Sequence, residues 1–202
     1  MMLSMTHQVD TKVCYGYSCR LLSKLNNMDI QTALERLHKF DGQRIYVYTK
    51  RNLRRLFFDD SEEAFKQSLP RLIKFGVLER ACRGVYVFAL SRHKGGHTIE
   101  YVAKSLRRGE YNYISLESAL SEYGVISQIP IDRLTVMTTG RKGVFKTPYG
   151  VIEFTHTERN DIDILNNTIL YDRPLRIATE SAAIRDLKRV GRNTHMLCNE
   201  FD

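Results

Sequence analysis

Residues 44–88 read RIYVYTKRNLRRLFFDDSEEAFKQSLPRLIKFGVLERACRGVYVF, and the changes of period along this stretch decide the fold of the first half of the chain. Arg44-Ile45-Tyr46-Val47-Tyr48 is short and rich in residues that favour strands. Thr49 can then cap a helix whose apolar side is Leu53, Leu56 and Phe57, and Phe58-Asp59-Asp60 reads as a turn. Asp60 and Glu63 are spaced for a capping box, ahead of a third helix with Phe65, Leu69, Leu72 and Ile73 inward and Gly76 as its stop. Pro70 predicts a kink or break inside that helix. Val77–Arg80 and Val85–Phe88 bracket Ala81-Cys82-Arg83-Gly84, which predicts a hairpin turning on glycine.

Upstream, Ile30, Ala33, Leu34 and Leu37 recur at helical spacing after Asp29 and stop at Gly42. Helix, strand, short helix, tight turn, helix and hairpin is the order of a winged helix-turn-helix, expected over residues 26–91. Residues 1–25 form an extension with a short helix expected around Ser18–Leu25. Downstream, Ser91-Arg92-His93-Lys94-Gly95-Gly96-His97 is polar and glycine-containing, and the domain boundary is placed there.

Residues 97–202 then alternate helices and strands. Thr98 opens a helix with Ile99, Val102, Ala103 and Leu106 inward, and Ser115 opens another with Leu116, Ala119, Leu120 and Tyr123 inward. Strands are expected at Arg133–Thr138 and Gly150–Thr155, with turns at Gly140, Gly143 and around Pro148 between them. A final helix starts at Thr179, buries Ala183, Ile184, Leu187 and Val190, and ends at Gly191. The expected class is α+β: an N-terminal winged helix-turn-helix followed by a C-terminal mixed α/β domain.

Charge separates the halves. Of 31 Lys/Arg and 23 Asp/Glu, residues 1–95 hold 17 and 9, leaving 14 of each for residues 96–202, so the whole net charge of +8 sits in the first half. A local basic excess attracts phosphate. In a helix-turn-helix the second helix of the pair enters the major groove. Lys66, Gln67, Arg71 and Lys74 lie on its outward side, where Arg and Lys suit guanine and Gln suits adenine. Arg51, Arg54 and Arg55 on the preceding helix, and Arg80 and Arg83 beside the hairpin tip, suit the phosphate backbone. Glu62 and Glu63 at the start of the reading helix either accept from cytosine amino groups or mark an end lifted from the groove. Double-stranded DNA is therefore the expected partner.

No apolar run approaches the length needed to cross a bilayer, and MMLSMTHQVD lacks the basic and apolar regions of a signal peptide, so a cytoplasmic protein with no membrane partner is expected. Cys14, Cys19, Cys82 and Cys198 show no CxxC spacing. His93 and His97 sit four apart, but Gly95 and Gly96 between them predict a loop, and Asp161-Ile162-Asp163 reads as a solvated loop ahead of Ile164 and Leu165. With no GxSxG, P-loop, HExxH or GxGxxG, neither a catalytic group nor a cofactor or metal is expected.

Two further signatures carry a family resemblance. Leu72-Ile73-Lys74-Phe75-Gly76-Val77-Leu78-Glu79-Arg80 with Arg83-Gly84-Val85-Tyr86 resembles the winged helix of AbiE-type antitoxins, the AbiEi family of type IV toxin–antitoxin systems. Tyr113–Leu120 with Tyr123-Gly124, and Ile177–Leu187, look like the two helical signatures of their C-terminal antitoxin domain. The resemblance covers roughly residues 28–192. It implies a bacterial two-gene operon, a winged helix that represses its own promoter, a C-terminal domain that neutralises a nucleotidyltransferase-like toxin, and no enzymatic activity in this chain. Two other readings compete: a winged-helix transcription factor whose C-terminal domain senses a small ligand, and an accessory nuclease or nucleotidyl-transfer enzyme with Asp161 and Asp163 as metal ligands.

Overall fold

The computed structural model describes residues 29–126 and 132–197; the expected extension, and Cys14, Cys19 and Cys198, lie outside the described residues. The chain is α+β, with a three-stranded and a six-stranded sheet. Helix α1 (Ile30–Asp41) buries Ala33 and Leu37, as the spacing predicts. Strand β1 (Val47–Thr49) starts later than expected, and Thr49 caps α2 (Lys50–Leu56) in a reciprocal capping box with Asn52.

Helix α3 (Glu62–Lys74) departs from the reading in two ways. Its cap is Ser61, whose hydroxyl accepts from the Ala64 amide at 3.1 Å, because the Asp60 amide turns back to the Phe57 carbonyl and Asp60 is buried. The helix also continues through Pro70, which is exposed, so the carbonyl left without a donor one turn earlier can be hydrated. Strands β2 (Leu78–Cys82) and β3 (Val85–Phe88) form the hairpin, with the turn narrowed to Arg83-Gly84 and Gly84 at φ +83°. β3 is the middle strand, paired antiparallel with β1 and β2.

The second half opens with α4 (Thr98–Leu106), whose N-cap is His97; the Thr98 hydroxyl instead accepts from the Gly95 amide at 2.9 Å. The six-stranded sheet runs β6-β7-β5-β4-β9-β8, from β4 (Asn112–Ile114), β5 (Arg133–Thr138), β6 (Gly143–Thr147), β7 (Gly150–His156), β8 (Thr168–Ile169) and β9 (Arg176–Ala178). β4 and β9 pair in parallel, as do β5 and β7. Each of β4 and β9 feeds a helix, α5 (Leu116–Glu122) and α7 (Glu180–Val190), and these pack together. Between them, α6 (Asp161–Asn166) places Asp161 and Asp163 in a helical first turn rather than a loop, and Asp163 pairs with Arg159 at 2.9 Å.

α5 and α7 end their strands differently. Thr179 caps α7 through the Ala182 amide, and Gly191 closes it in the left-handed conformation. Ser115, the expected cap of α5, makes no capping bond; its buried hydroxyl donates to Asp186 at 2.8 Å. Asp186 is fully buried and also accepts from Tyr113 Oη at 3.2 Å and Arg159 Nη2 at 2.7 Å. One charge-compensated network thus ties β4, the segment before α6, and α7.

The halves share a hydrophobic core. α4 packs on β1 and β3 of the small sheet and on β5 and β7 of the large one. Tyr46 and Thr98 hydroxyls meet at 3.3 Å across the join, and the Tyr149 hydroxyl donates to Glu79. The expected linker is itself held: Ser91 donates to the buried Asp41 carboxylate, and the His93 amide donates to the Ser91 hydroxyl at 3.1 Å.

Candidate nucleic-acid interface

The basic residues singled out in the sequence lie on α2, α3 and the β2–β3 hairpin, and each element positions them differently. α2 buries Leu53 and leaves Lys50, Arg51 and Arg55 exposed. The Lys50 amide donates to the Gly84 carbonyl at 2.9 Å, which brings the hairpin turn, and with it exposed Arg83, against the start of α2. Lys50 was not singled out in the sequence. Its position directly after the capping Thr49, with Arg51 next, is the signal that would have found it.

On α3 the buried Ala64, Phe65, Leu69 and Leu72 leave Lys66, Gln67, Pro70 and Lys74 exposed and Arg71 half-buried. Gln67 and Arg71 are one turn apart on the same helix. Arg80 is exposed in β2, next to the irregularity between Arg80 and Cys82 that precedes the turn. Among the described residues Arg51, Arg55, Lys66, Arg71, Lys74, Arg80 and Arg83 take part in no ion pair.

Arg54 is unlike the others. Its Nε donates to Glu62 at 3.1 Å, its Nη1 to the Phe57 carbonyl at 3.0 Å, and its guanidinium sits 5.8 Å from the Phe65 ring centroid. It fastens α2 to the start of α3 and covers the carbonyl of Phe57, the C-cap of α2. The same bond neutralises Glu62, while Glu63 stays exposed beside it.

Glu79, on the strand that carries Arg80, is oriented towards the second half. Burial pushes its carboxyl up, but hydrogen bonds from Lys94, at 2.8 Å, and from Tyr149 outweigh burial and hold it below the usual carboxylate range. It therefore stays an anion, and the hairpin is anchored to the turn between β6 and β7. Cys82 is half-buried, and burial pushes its thiol up. His93 lies in the loop before α4 and His97 at that helix's N-cap, so the two are not on one helical face.

Comparison with protein families and with curated proteins found no match. Among solved structures, the RV2827C protein from Mycobacterium tuberculosis is similar over 69% of this chain and 49% of that one, at 14% identity and a TM-score of 0.46. The chain spans about half the length of that protein. No helix among the described residues is long and apolar enough to cross a membrane.

Proposed function

We propose that residues 26–91 form a winged helix-turn-helix that binds double-stranded DNA, with α3 in the major groove and the β2–β3 hairpin as the wing. The observation that carries this reading is the set of cations on α2, α3 and the hairpin tip that have no ion pair among the described residues, with α2 tied to the hairpin by the Lys50–Gly84 backbone bond and to α3 by Arg54. Arg51, Arg55, Lys66, Lys74, Arg80 and Arg83 hold phosphates, while Gln67 and Arg71 read bases. Arg54 holds the two helices at their working angle. Its bond to Glu62 also removes one of the two carboxylates that would repel DNA at the start of α3.

The chain as a whole acts as an AbiEi-type antitoxin, by binding rather than by catalysis. It represses its own promoter through this interface and neutralises a nucleotidyltransferase-like toxin through residues 97–202. The paired strand–helix units β4–α5 and β9–α7, the segments whose sequences resemble the antitoxin signatures, support this because they pack as one unit. The test expresses a neighbouring nucleotidyltransferase-like gene from a foreign promoter with the full chain carrying Arg51→Ala and Arg83→Ala. Loss of promoter binding with retained growth rescue fits both roles. Rescue lost together with promoter binding would reduce the chain to a repressor.

A further inference from the structure

The seam between the halves contains a cleft of about 640 Å³ that the DNA interface does not use. Its walls come from four distant segments: Arg44 and Tyr46 before β1, residues 93–97, the outer side of α4, and residues 170–174. Along α4, His97, Tyr101 and Lys104 recur at i, i+4 and i+7, a stripe about 10 Å long at 1.5 Å per residue. The volume is that of a small-molecule site.

Three features set its chemistry. The first is Arg44, which holds a left-handed backbone (φ 60°) although Gly42, two residues earlier in the same turn, has φ −57°. A turn that puts its strained position on arginine, with a glycine at hand, spends stability on that side chain, a pattern of ligand sites. Arg44 has no ion pair among the described residues, and Lys104 donates only to the Pro174 carbonyl at 3.2 Å. Arg173 is already neutralised by Glu100 and Glu122, so Arg44 and Lys104 stand against one lining carboxylate, the exposed Asp172. The second feature is aromatic: half-buried Tyr101 is braced edge to face by buried Tyr46 at 5.2 Å, and exposed Tyr171 lines the same cleft. The third is Gly95-Gly96. Neither glycine has positive φ, and a Cβ on either would meet nothing within 4 Å, so the fold itself demands glycine at neither position. What their missing side chains leave is open space in the cleft wall.

We propose that this cleft binds a nucleoside phosphate, with its phosphate on Arg44 and Lys104 and its ring on the tyrosine wall. A ligand that joins a flat ring to a phosphate satisfies two cations outside any ion pair among the described residues and an aromatic surface at once, which neither inorganic phosphate nor an uncharged aromatic does.

The test is calorimetric titration of the full chain with ATP, AMP and inorganic phosphate at fixed ionic strength. The expected result is saturable one-to-one binding of ATP or AMP, at least 10-fold tighter than phosphate. Gly96→Leu, which fills the open space, should abolish it with an unchanged melting temperature. Arg44→Gly should weaken it at least 10-fold without lowering the melting temperature, since glycine accepts the left-handed backbone. Nucleotide binding should persist in the Arg51→Ala/Arg83→Ala chain, which separates the cleft from the basic DNA face. Absence of saturable nucleotide binding at millimolar concentration, phosphate binding as tightly as AMP, or binding unaffected by both cleft variants would each overturn the proposal.

Discussion

On the proposed function, the salt dependence of DNA binding should distinguish arginines that grip phosphate from the one that holds helices together. Arg51, Arg55, Lys66, Lys74, Arg80 and Arg83 are exposed and outside any ion pair among the described residues. If each holds one phosphate, log K falls against log salt with a slope of about −5.4, at about 0.9 per contact. Between 50 and 200 mM salt that is a loss of affinity on the order of 2,000-fold. Replacing Arg51 and Arg83 with Ala removes two contacts, brings the slope to about −3.6 and cuts the loss to about 150-fold. Arg54→Ala should leave the slope alone and lower stability by about 1–2 kcal/mol, from the carbonyl bond and a half-exposed ion pair. Fluorescence anisotropy of a labelled duplex at several salt concentrations, beside thermal melts, reads both effects. A double variant with the parental slope, or an Arg54→Ala chain whose slope falls like that of Arg51→Ala, would refute the assignment.

Arg71→Ala should cost about 1–3 kcal/mol at the operator and much less on random duplex, measured by competition; equal losses would make Arg71 a phosphate contact. Asp186→Ala leaves the Arg159 guanidinium with its buried counter-charge gone, so stability should drop by about 3–5 kcal/mol in a denaturant melt; a drop under about 1 kcal/mol would mean Arg159 re-pairs entirely with Asp163. Burial pushes the Glu153 carboxyl up, but hydrogen bonds from Arg192 and Arg133 outweigh it and hold it below its ordinary value. Its contribution is therefore full above about pH 4.5 and lost as pH falls through the lowered value, so Glu153→Gln should weaken the chain at pH 7 and flatten its acid-denaturation limb. An acid limb as steep as the parent's would place the acid sensitivity on other carboxylates.

The parts of the fold that could be read from the sequence are those whose signal is local. α1 and α7 announce themselves through apolar residues at helical spacing and glycines just past their ends, and the hairpin through Gly84. β4 and β9, of three residues each, and β8, of two, are too short to show alternation; they exist because neighbouring strands pair with them. β6 was read as turn because Gly143 and Pro148 frame it, yet it completes the edge of the large sheet against β7. Asp186 did carry a signal: it falls on the stripe Ala182, Ala183, Leu187, and an acid in an apolar stripe demands a partner. The basic face was legible residue by residue, but the burden on Arg54 was not, since Glu62 and Phe65 reach it only once α2 and α3 pack. The cleft was illegible for the same reason, because its walls lie up to about 130 residues apart in the chain.

The seam also changes what the glycine pair means. A polar Gly-Gly segment between two charge-distinct halves suggests modules that can be cut apart at Gly95-Gly96. In the structure α4 begins two residues later and serves both sheets, so the cut would leave residues 97–202 with α4 stripped of β1 and β3, and Thr98 and Tyr101 without Tyr46. Thr98 is fully buried and bonds both Tyr46 and the Gly95 amide. Three contacts, those of Thr98, Asp41–Ser91 and Glu79–Tyr149, therefore cross or brace the join. On the proposed function, a load that DNA places on the hairpin reaches the turn between β6 and β7 through the Glu79–Tyr149 bond, and a rearrangement of α4 reaches β1, whose Thr49 caps the helix carrying Arg51. The two halves are thus packed together along α4, and on the proposed function α4 is the element through which a DNA-bound and a toxin-bound state would bias one another.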